Sequence, residues 1–464
     1  MSSDPKRVHL VSLGCPKNRV DSEVMLGVLG QQGWRQSESA EDADVLVVNT
    51  CSFIGPAKEE SVDAILEMAR IKAEGEGKKL IVTGCLAQRY GEELKAELPE
   101  VDHFVGTGAF VRIGELVAPE SRGARPPRSL VPVPDFVYTA DTPRVRSTRG
   151  GSAYLKIAEG CDNACAFCII PTLRGPQRSR PIADLVAEAA QLVAGGAREL
   201  NLIAQDLTGY GHDLPGRPHL AELLAALDEL EGLRWIRMLY AFPRPLPDRF
   251  LQIWAEREKI VPYIDMPLQH ASPDLLARMR RPRNLDLVRR QVREFRERVG
   301  GAHGDFSFRT TFIVGHPGET ADDFQRLYDF VEEMRFESVG VFAYSDEEDT
   351  QSFDQDDKVP EELAAERQAR LMELQRDIAR ERSEGYVGQT LEVLVEGVSD
   401  ETDLLLQGRH RGQAPEIDGV VYINRGEAAP GDLVQVEISE AADYDLVGGI
   451  PGDWGDRPLE VGEG

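Results

Sequence analysis

Three short apolar runs near the start of the chain restrict its fold more than any other feature. They are Val8-His9-Leu10-Val11-Ser12-Leu13-Gly14-Cys15, Asp44-Val45-Leu46-Val47-Val48-Asn49-Thr50-Cys51 and Leu80-Ile81-Val82-Thr83-Gly84-Cys85. Runs of Val, Ile and Leu that do not alternate with polar residues read as strands covered on both faces, the condition of a parallel sheet. Helix-like stretches, Asp21 to Gln31 and Ala57 to Ala73, separate them and give a β-α-β-α-β order. In open α/β sheets ligands collect beyond the carboxyl ends of the strands. Each run ends in a Cys, so Cys15, Cys51 and Cys85 are expected at one crevice although far apart in sequence. A single buried Cys is more often inert packing. Three at strand ends, two of them preceded by Gly, point to metal ligation.

The other three Cys stand together in Cys161-Asp162-Asn163-Ala164-Cys165-Ala166-Phe167-Cys168, just past the strand-like run Ala153–Ala158. Thiolates suit iron–sulfur clusters and zinc. A structural zinc wants a closed set of four ligands, and no fourth Cys or His follows until His212. The spacing C-x3-C-x2-C therefore favours a cluster, and three thiols on a four-iron cluster leave one iron open. From 150 to 355 six strand candidates alternate with helical stretches: 153–158, 199–204, 234–240, 261–266, 307–314 and 338–344. Such an order makes a parallel sheet with right-handed crossovers, and six units suggest an open, partial barrel. Catalytic groups in barrels gather at the carboxyl ends of strands. Gln205 and Asp206 follow the second strand there, as ligand contacts or as a capped turn. His270 follows the fourth, and a structural hydrogen bond is its expected role. Gly315 and Gly318 follow the fifth, ahead of a helix capped by Thr320.

The loop Cys161–Cys168, with Phe167 before its last Cys, resembles the cluster loop of radical S-adenosylmethionine (SAM) enzymes. The resemblance implies that Cys161, Cys165 and Cys168 hold a 4Fe-4S cluster whose open iron binds SAM. The Gly315–Gly318 stretch resembles the segment of that family that packs beside the adenine, and Phe167, Gln205, Asp206, Gly315 and Gly318 are the candidate SAM contacts, with a capped turn still the alternative for Gln205 and Asp206. The string Cys168-Ile169-Ile170-Pro171, then Arg174-Gly175 and Arg178-Ser179-Arg180-Pro181, follows that loop as it does in methylthiotransferases. Their N-terminal domain has three Cys that match Cys15, Cys51 and Cys85, which implies a second 4Fe-4S cluster that supplies sulfur. Such an enzyme inserts a methylthio group at an unactivated carbon, where no general base works at neutral pH and a radical is needed.

With 464 residues the chain suits two or three domains. The fold class expected is α/β: an N-terminal parallel α/β domain over 1–122, a partial (β/α)6 radical SAM barrel over 149–384, and a small all-β TRAM-like barrel over 385–452. Residues 123–148, Pro- and Arg-rich, read as an extended, solvated linker whose basic residues are linker composition. The tail 453–464 is Gly- and Glu-rich. No apolar run approaches membrane-spanning length and the N-terminus lacks a secretory apolar core, so a cytoplasmic enzyme is expected.

The net charge is −27 and the isoelectric point about 4.8. Between residues 384 and 450 stand 14 Asp and Glu against three Arg and no Lys. TRAM domains usually bind RNA, but a domain that grips phosphates needs cations. This one suits a basic protein partner. Gln413-Ala414-Pro415-Glu416-Ile417-Asp418-Gly419 and Ala442-Asp443-Tyr444-Asp445-Leu446 resemble the RimO-type branch, which modifies an aspartate β-carbon of the twelfth small-subunit ribosomal protein, alone or on the ribosomal subunit. That branch often carries Asp at the position of Gln413. The resemblance also implies a low-potential electron donor. Two other readings stand beside it: a tRNA adenosine methylthiotransferase, and a non-catalytic iron–sulfur redox sensor.

Overall fold

The computed structural model describes residues 6–117 and 127–452. Its first sheet grows from strands β1 (Arg7–Ser12), β2 (Arg35–Gln36), β3 (Val45–Thr50), β4 (Lys79–Gly84), β5 (His103–Val105) and β6 (Ser129–Leu130). Their order is β2-β1-β3-β4-β5-β6, and every pairing is parallel. Helices α1 (Pro16–Gln31), α2 (Gly55–Glu74), α3 (Cys85–Glu97) and α4 (Ile113–Val117) connect them. All six residues of β3 are buried, which is why its sequence shows no alternation. The three long strands are those expected. The other three have two or three residues each, too few for any period to show.

Residues 123–126 of the expected linker lie outside the described residues, but 127–147 is not a solvated connection. Ser129–Leu130 adds β6 to the sheet. Tyr138 is buried, with the Arg180 guanidinium 4.3 Å from its ring centroid. Arg144 meets the inaccessible carboxylate of Glu23 on α1 at 2.6 Å, and Ser147 gives Glu23 its backbone N–H and hydroxyl. Pro143 lies so close to Gly27 that a Cβ there would come within 2.4 Å of its carbonyl. The basic residues are thus not mere linker composition: Arg144 is the ion-pair partner of a carboxylate with no access to water.

The second sheet begins with β7 (Ser152–Lys156). The chain then forms a short antiparallel pair, β8 (Ala158–Glu159) with β9 (Arg178–Ser179), on either side of α5 (Ile170–Arg174). Strands β10 (Glu199–Ile203), β11 (Trp235–Met238), β12 (Ile260–Asp265), β13 (Ser307–Val314) and β14 (Ser338–Ala343) complete it. The order is β14-β13-β12-β11-β10-β7, all parallel, in agreement with the six expected strands. The helix Glu361–Glu384 follows and buries Leu371 and Ile378, with Leu374 half-buried. Gln368 and Gln375 on that helix donate to the carbonyls of Val341 and Phe336.

The last domain is a closed barrel of β15 (Thr390–Val398), β16 (Leu406–His410), β17 (Val421–Arg425), β18 (Leu433–Ala441) and β19 (Leu446–Gly449) in the order β15-β16-β17-β19-β18. Closure leaves no exposed strand edge. The barrel is tied to the amino ends of the second sheet. Arg409 of β16 bonds Glu199, the first residue of β10, at 2.6 Å, and Glu199 also holds Arg237 of β11 at 2.9 Å. Asp418 accepts the hydroxyl of Tyr263 at 2.7 Å and that of Ser338, the first residue of β14, at 2.8 Å. Gln413 accepts the backbone N–H of His410 at 3.1 Å, a task a carboxylate could also perform.

By their contacts, Met1–Ser147, Ala158–Arg180 and Ser345–Phe353 form one compact unit, and the rest of the chain forms another. Among the described residues no helix is long and apolar enough to cross a membrane.

Candidate functional site

Cys15 is the residue before α1, Cys51 follows β3 directly, and Cys85 opens α3 directly after β4. Glycine makes the approach of these three strand ends possible. Gly14 has φ +84°, and a Cβ on it would lie 2.7 Å from the Cβ of Cys51 and 3.1 Å from its sulfur. Gly84 has φ +97°, and a Cβ there would lie 2.4 Å from the Asn49 side-chain oxygen. Any other residue would be strained in that backbone region and would also collide.

The three thiols feel one another. Burial, followed by the charges of Cys85 and Cys15, pushes the Cys51 thiol up to about 12. Burial also raises the Cys85 thiol, against the pull of Arg174. Sulfurs in that state give up their protons only when a metal cation replaces them. Among the described residues no three His, Cys, Asp or Glu are arranged to hold a single metal ion. A cluster asks instead for thiols spread around a volume, and the all-sulfur donor set fits iron–sulfur chemistry.

Arg174, six residues beyond the second Cys loop, reaches back to this triplet. Its side chain is 2% exposed. It bonds Asp21 of α1 at 2.9 Å, Glu159 of β8 at 3.1 Å, the Asn18 side-chain oxygen, and the Cys85 sulfur at 3.7 Å. Burial opposes its charge, but Glu159 and Asp21 outweigh burial and keep it protonated. Asn18 is fixed in turn by the carbonyls of Leu13 and Thr50, at 3.1 and 2.9 Å. Hydrogen bonds and charge at the sulfurs are what tune such clusters. Arg174 is legible as part of a family string, whereas its contacts with α1 and Cys85 are not, because they span 89 or more residues.

The loop Cys161–Cys168 lies in the same compact unit. Gly160, at φ +79°, starts it where a Cβ would strike the Pro176 carbonyl at 2.1 Å. The Cys161 N–H then donates to the Gly175 carbonyl at 3.1 Å, and the Gln177 N–H to the Asp162 carboxylate at 2.9 Å. Asn163 donates to the Cys161 sulfur at 3.4 Å. Cys161, Cys165, Phe167 and Cys168 are half-buried. Ile169 and Leu173, directly beyond the loop, pack with Cys85 in one apolar cluster. Three accessible thiols on an irregular loop held by backbone bonds can take up a metal cluster without rearranging the sheet.

The remaining candidates lie in the second unit, at the carboxyl ends of its strands. Asp206 caps a short turn, accepting from the Gly209 N–H at 3.1 Å and the Thr208 hydroxyl at 2.7 Å, and pairs with Arg244. Gln205 is half-buried beside it. His270 accepts the Ser272 N–H on Nδ1 at 3.0 Å, which leaves Nε2 as the donor to Glu319 at 3.3 Å. That is the structural hydrogen-bonding role expected of it. Gly315 has φ +76°, and a Cβ there would meet Ala364 at 2.4 Å; Gly318, at φ +84°, lies against Arg278. Thr320 caps the next helix in a capping box with Asp323.

Comparison with known proteins gives this arrangement its relatives. Residues 7–106 match the "Uncharacterized protein family UPF0004", 155–331 the Radical SAM superfamily, and 387–450 the TRAM domain. Among solved structures, the radical S-adenosylmethionine methyltransferase TsrM from Kitasatospora setae, with cobalamin and a [4Fe-4S] cluster bound, aligns over 73% of this chain and 75% of its own at a TM-score of 0.54. Its identity is 16%, so the likeness concerns the fold alone. Proteins named "Ribosomal protein uS12 methylthiotransferase RimO" are much closer in sequence. That of Myxococcus xanthus is 56% identical, over 96% of this chain and 92% of its own. That of Geobacter sulfurreducens is 48% identical, over 97% of this chain and 100% of its own. With such identity along nearly its whole length, the chain belongs to the RimO family of ribosomal protein uS12 methylthiotransferases, within the radical SAM superfamily.

Proposed function

We propose that this enzyme replaces a hydrogen on the β-carbon of an aspartate in ribosomal protein uS12 by a methylthio group, with Cys161, Cys165 and Cys168 holding one 4Fe-4S cluster and Cys15, Cys51 and Cys85 a second. Membership of the family brings SAM and an iron–sulfur cluster; the second cluster and the ligand residues are our reading. Bound SAM and an open-iron cluster supply a radical able to take hydrogen from an unactivated carbon, and a second cluster supplies sulfur, tasks that belong to cofactors.

The chain's own residues hold, orient and charge-balance these groups. The observation that carries the two-cluster reading is the Arg174 bridge. A buried cation six residues beyond Cys168 reaches within 3.7 Å of the Cys85 sulfur, which supports reading the cluster loop and the N-terminal triplet as neighbouring sites of one compact unit. Gln205, Gly315 and Gly318 remain the SAM-facing candidates of the second unit, with Phe167 in the cluster loop. Asp206 would act through the turn it caps, because its carboxylate is already engaged. A low-potential donor outside the chain would supply the electron.

Charge supports the choice of a protein substrate. Between residues 384 and 450, nine of the 14 carboxylates are exposed but only one of the three Arg, Arg425. Arg409 is consumed internally by Glu199 and Glu396. This surface repels phosphates and suits a Lys- and Arg-rich protein, so tight nucleic-acid binding by the barrel is not expected. Several acids of the two branch-like strings are engaged within the fold. Asp418 holds Tyr263 and Ser338, Asp443 pairs with Arg380 at 2.6 Å, and Asp445 accepts the Val420 N–H. Docking would therefore rest on other acids, such as Glu401, Asp403, Glu437 and Glu440, which are exposed.

Anaerobic incubation of the reduced enzyme with SAM, a sulfur source, the ribosomal protein and tRNA tests this assignment. A methylthiolated aspartate in the protein is expected. Methylthiolated adenosine with an untouched protein would overturn it, and a redox sensor would cleave no SAM.

A further inference from the structure

The segment Ser345–Phe353 follows the last strand of the second sheet, yet it packs in the unit that contains all six Cys. Glu347 is its centre, with a side chain 3% exposed. Its Oε2 accepts from Lys58 at 2.8 Å and Arg89 at 2.7 Å, and its Oε1 from the Ser345 hydroxyl at 2.7 Å. A carboxylate so far from water persists only when its oxygens are matched in this way.

Its partners reach segments that follow Cys51 and Cys85 in the chain. Arg89 lies one turn along α3 from Cys85 and also donates to the carbonyl of Ser52, next to Cys51, at 3.1 Å. The Ser345 oxygen accepts the N–H of Gly55, the first residue of α2, at 3.0 Å. The Thr350 hydroxyl donates to the Glu347 carbonyl at 2.7 Å and turns the chain back. The Ser352 N–H then donates to the carbonyl of Ala166, between Cys165 and Cys168, at 2.9 Å. One nine-residue segment thus binds elements of both Cys triplets, and none of these bonds goes to a sulfur.

We propose that Glu347 is a positioning residue that fixes the register of the two Cys triplets, so that hydrogen abstraction and sulfur delivery meet on one substrate carbon. The proposal rests on the two-cluster reading above. Neither cluster needs Glu347 to bind iron, but productive turnover needs both in a fixed relation, and misplacement by about 1 Å can cost up to about a hundredfold in rate.

The test uses the full chain, reconstituted anaerobically, as wild type, Glu347→Gln, Glu347→Asp and Lys58→Gln. Iron content, 5′-deoxyadenosine and methylthiolated protein are read together. Glu347→Gln should keep the iron and the SAM cleavage of the wild type, while product per 5′-deoxyadenosine falls about tenfold or more. Glu347→Asp should recover part of the ratio. Lys58→Gln, which leaves Arg89 in place, should show a smaller fall. An unchanged ratio in Glu347→Gln would overturn the proposal. So would iron lost in parallel with product in both Glu347→Gln and Lys58→Gln, which would make the segment a structural brace only. A wild type that fills one triplet alone would instead defeat the two-cluster reading.

Discussion

Replacing Arg409 by Met should loosen the C-terminal barrel by about 3 kcal/mol at neutral pH. The structure gives the size of the effect by two routes. Arg409 is fully buried and bonds Glu199 at 2.6 Å, Glu396 at 2.6 Å and the Gln413 carbonyl at 2.8 Å. Removing one member of such a buried set typically costs about 3–5 kcal/mol, because a charge is left behind. The second route is the carboxyl group itself. Burial works against the charge of Glu199, but Arg409 and Arg237 overcome it and hold the group at about 2. Against about 4.3 for an unfolded chain, that gap is also worth about 3 kcal/mol. The folded value is the lower one, so this stabilisation is complete above about pH 4.3 and is lost as the pH falls toward about 2. Hydrogen exchange of the amides in β15 and β16 reads the local opening directly, and Arg409→Met should speed it roughly a hundredfold at pH 7. In urea the difference between variant and wild type should narrow between about pH 4.3 and pH 2. Exchange unchanged at pH 7, or a difference that persists undiminished at low pH, would refute the reasoning.

Replacing Cys161, Cys165 and Cys168 by Ala should lower iron from about eight to about four atoms per chain and abolish SAM cleavage, both measurable after anaerobic reconstitution. Gly84→Ala should cost about 1–3 kcal/mol through its left-handed backbone and the contact with Asn49, seen as a lower melting temperature with iron lost from the N-terminal triplet first. Changing Glu401, Asp403, Glu437 and Glu440 together to Lys should weaken binding of the ribosomal protein and flatten its salt dependence, with 5′-deoxyadenosine formation unaltered.

Much of this architecture was legible because it is local. A strand such as Val45–Thr50, buried on both faces, announces a parallel sheet, and a Cys directly after it announces a site at its carboxyl end. The six strands of the second sheet appeared for the same reason. What escaped depends on partners far away in sequence. Pro and Arg between 127 and 147 looked like a solvated linker, but Arg144 exists to meet Glu23, 121 residues earlier. Asp418 and Asp443 count among the 14 acids that suit the C-terminal domain to a basic partner, yet they are bonded within the fold. Composition records charge, but not which charges neutralise each other. Glu347 was invisible for a further reason: an acidic run after a strand reads as surface until Lys58 and Arg89 are seen on either side of it.

The central claim is that two Cys triplets divide the work, one for the radical and one for sulfur. The most direct test replaces Cys15, Cys51 and Cys85 by Ala together and follows both products with reductant, SAM and the ribosomal protein present. The account predicts 5′-deoxyadenosine without any methylthiolated aspartate. Methylthiolated protein from that triple variant would contradict it.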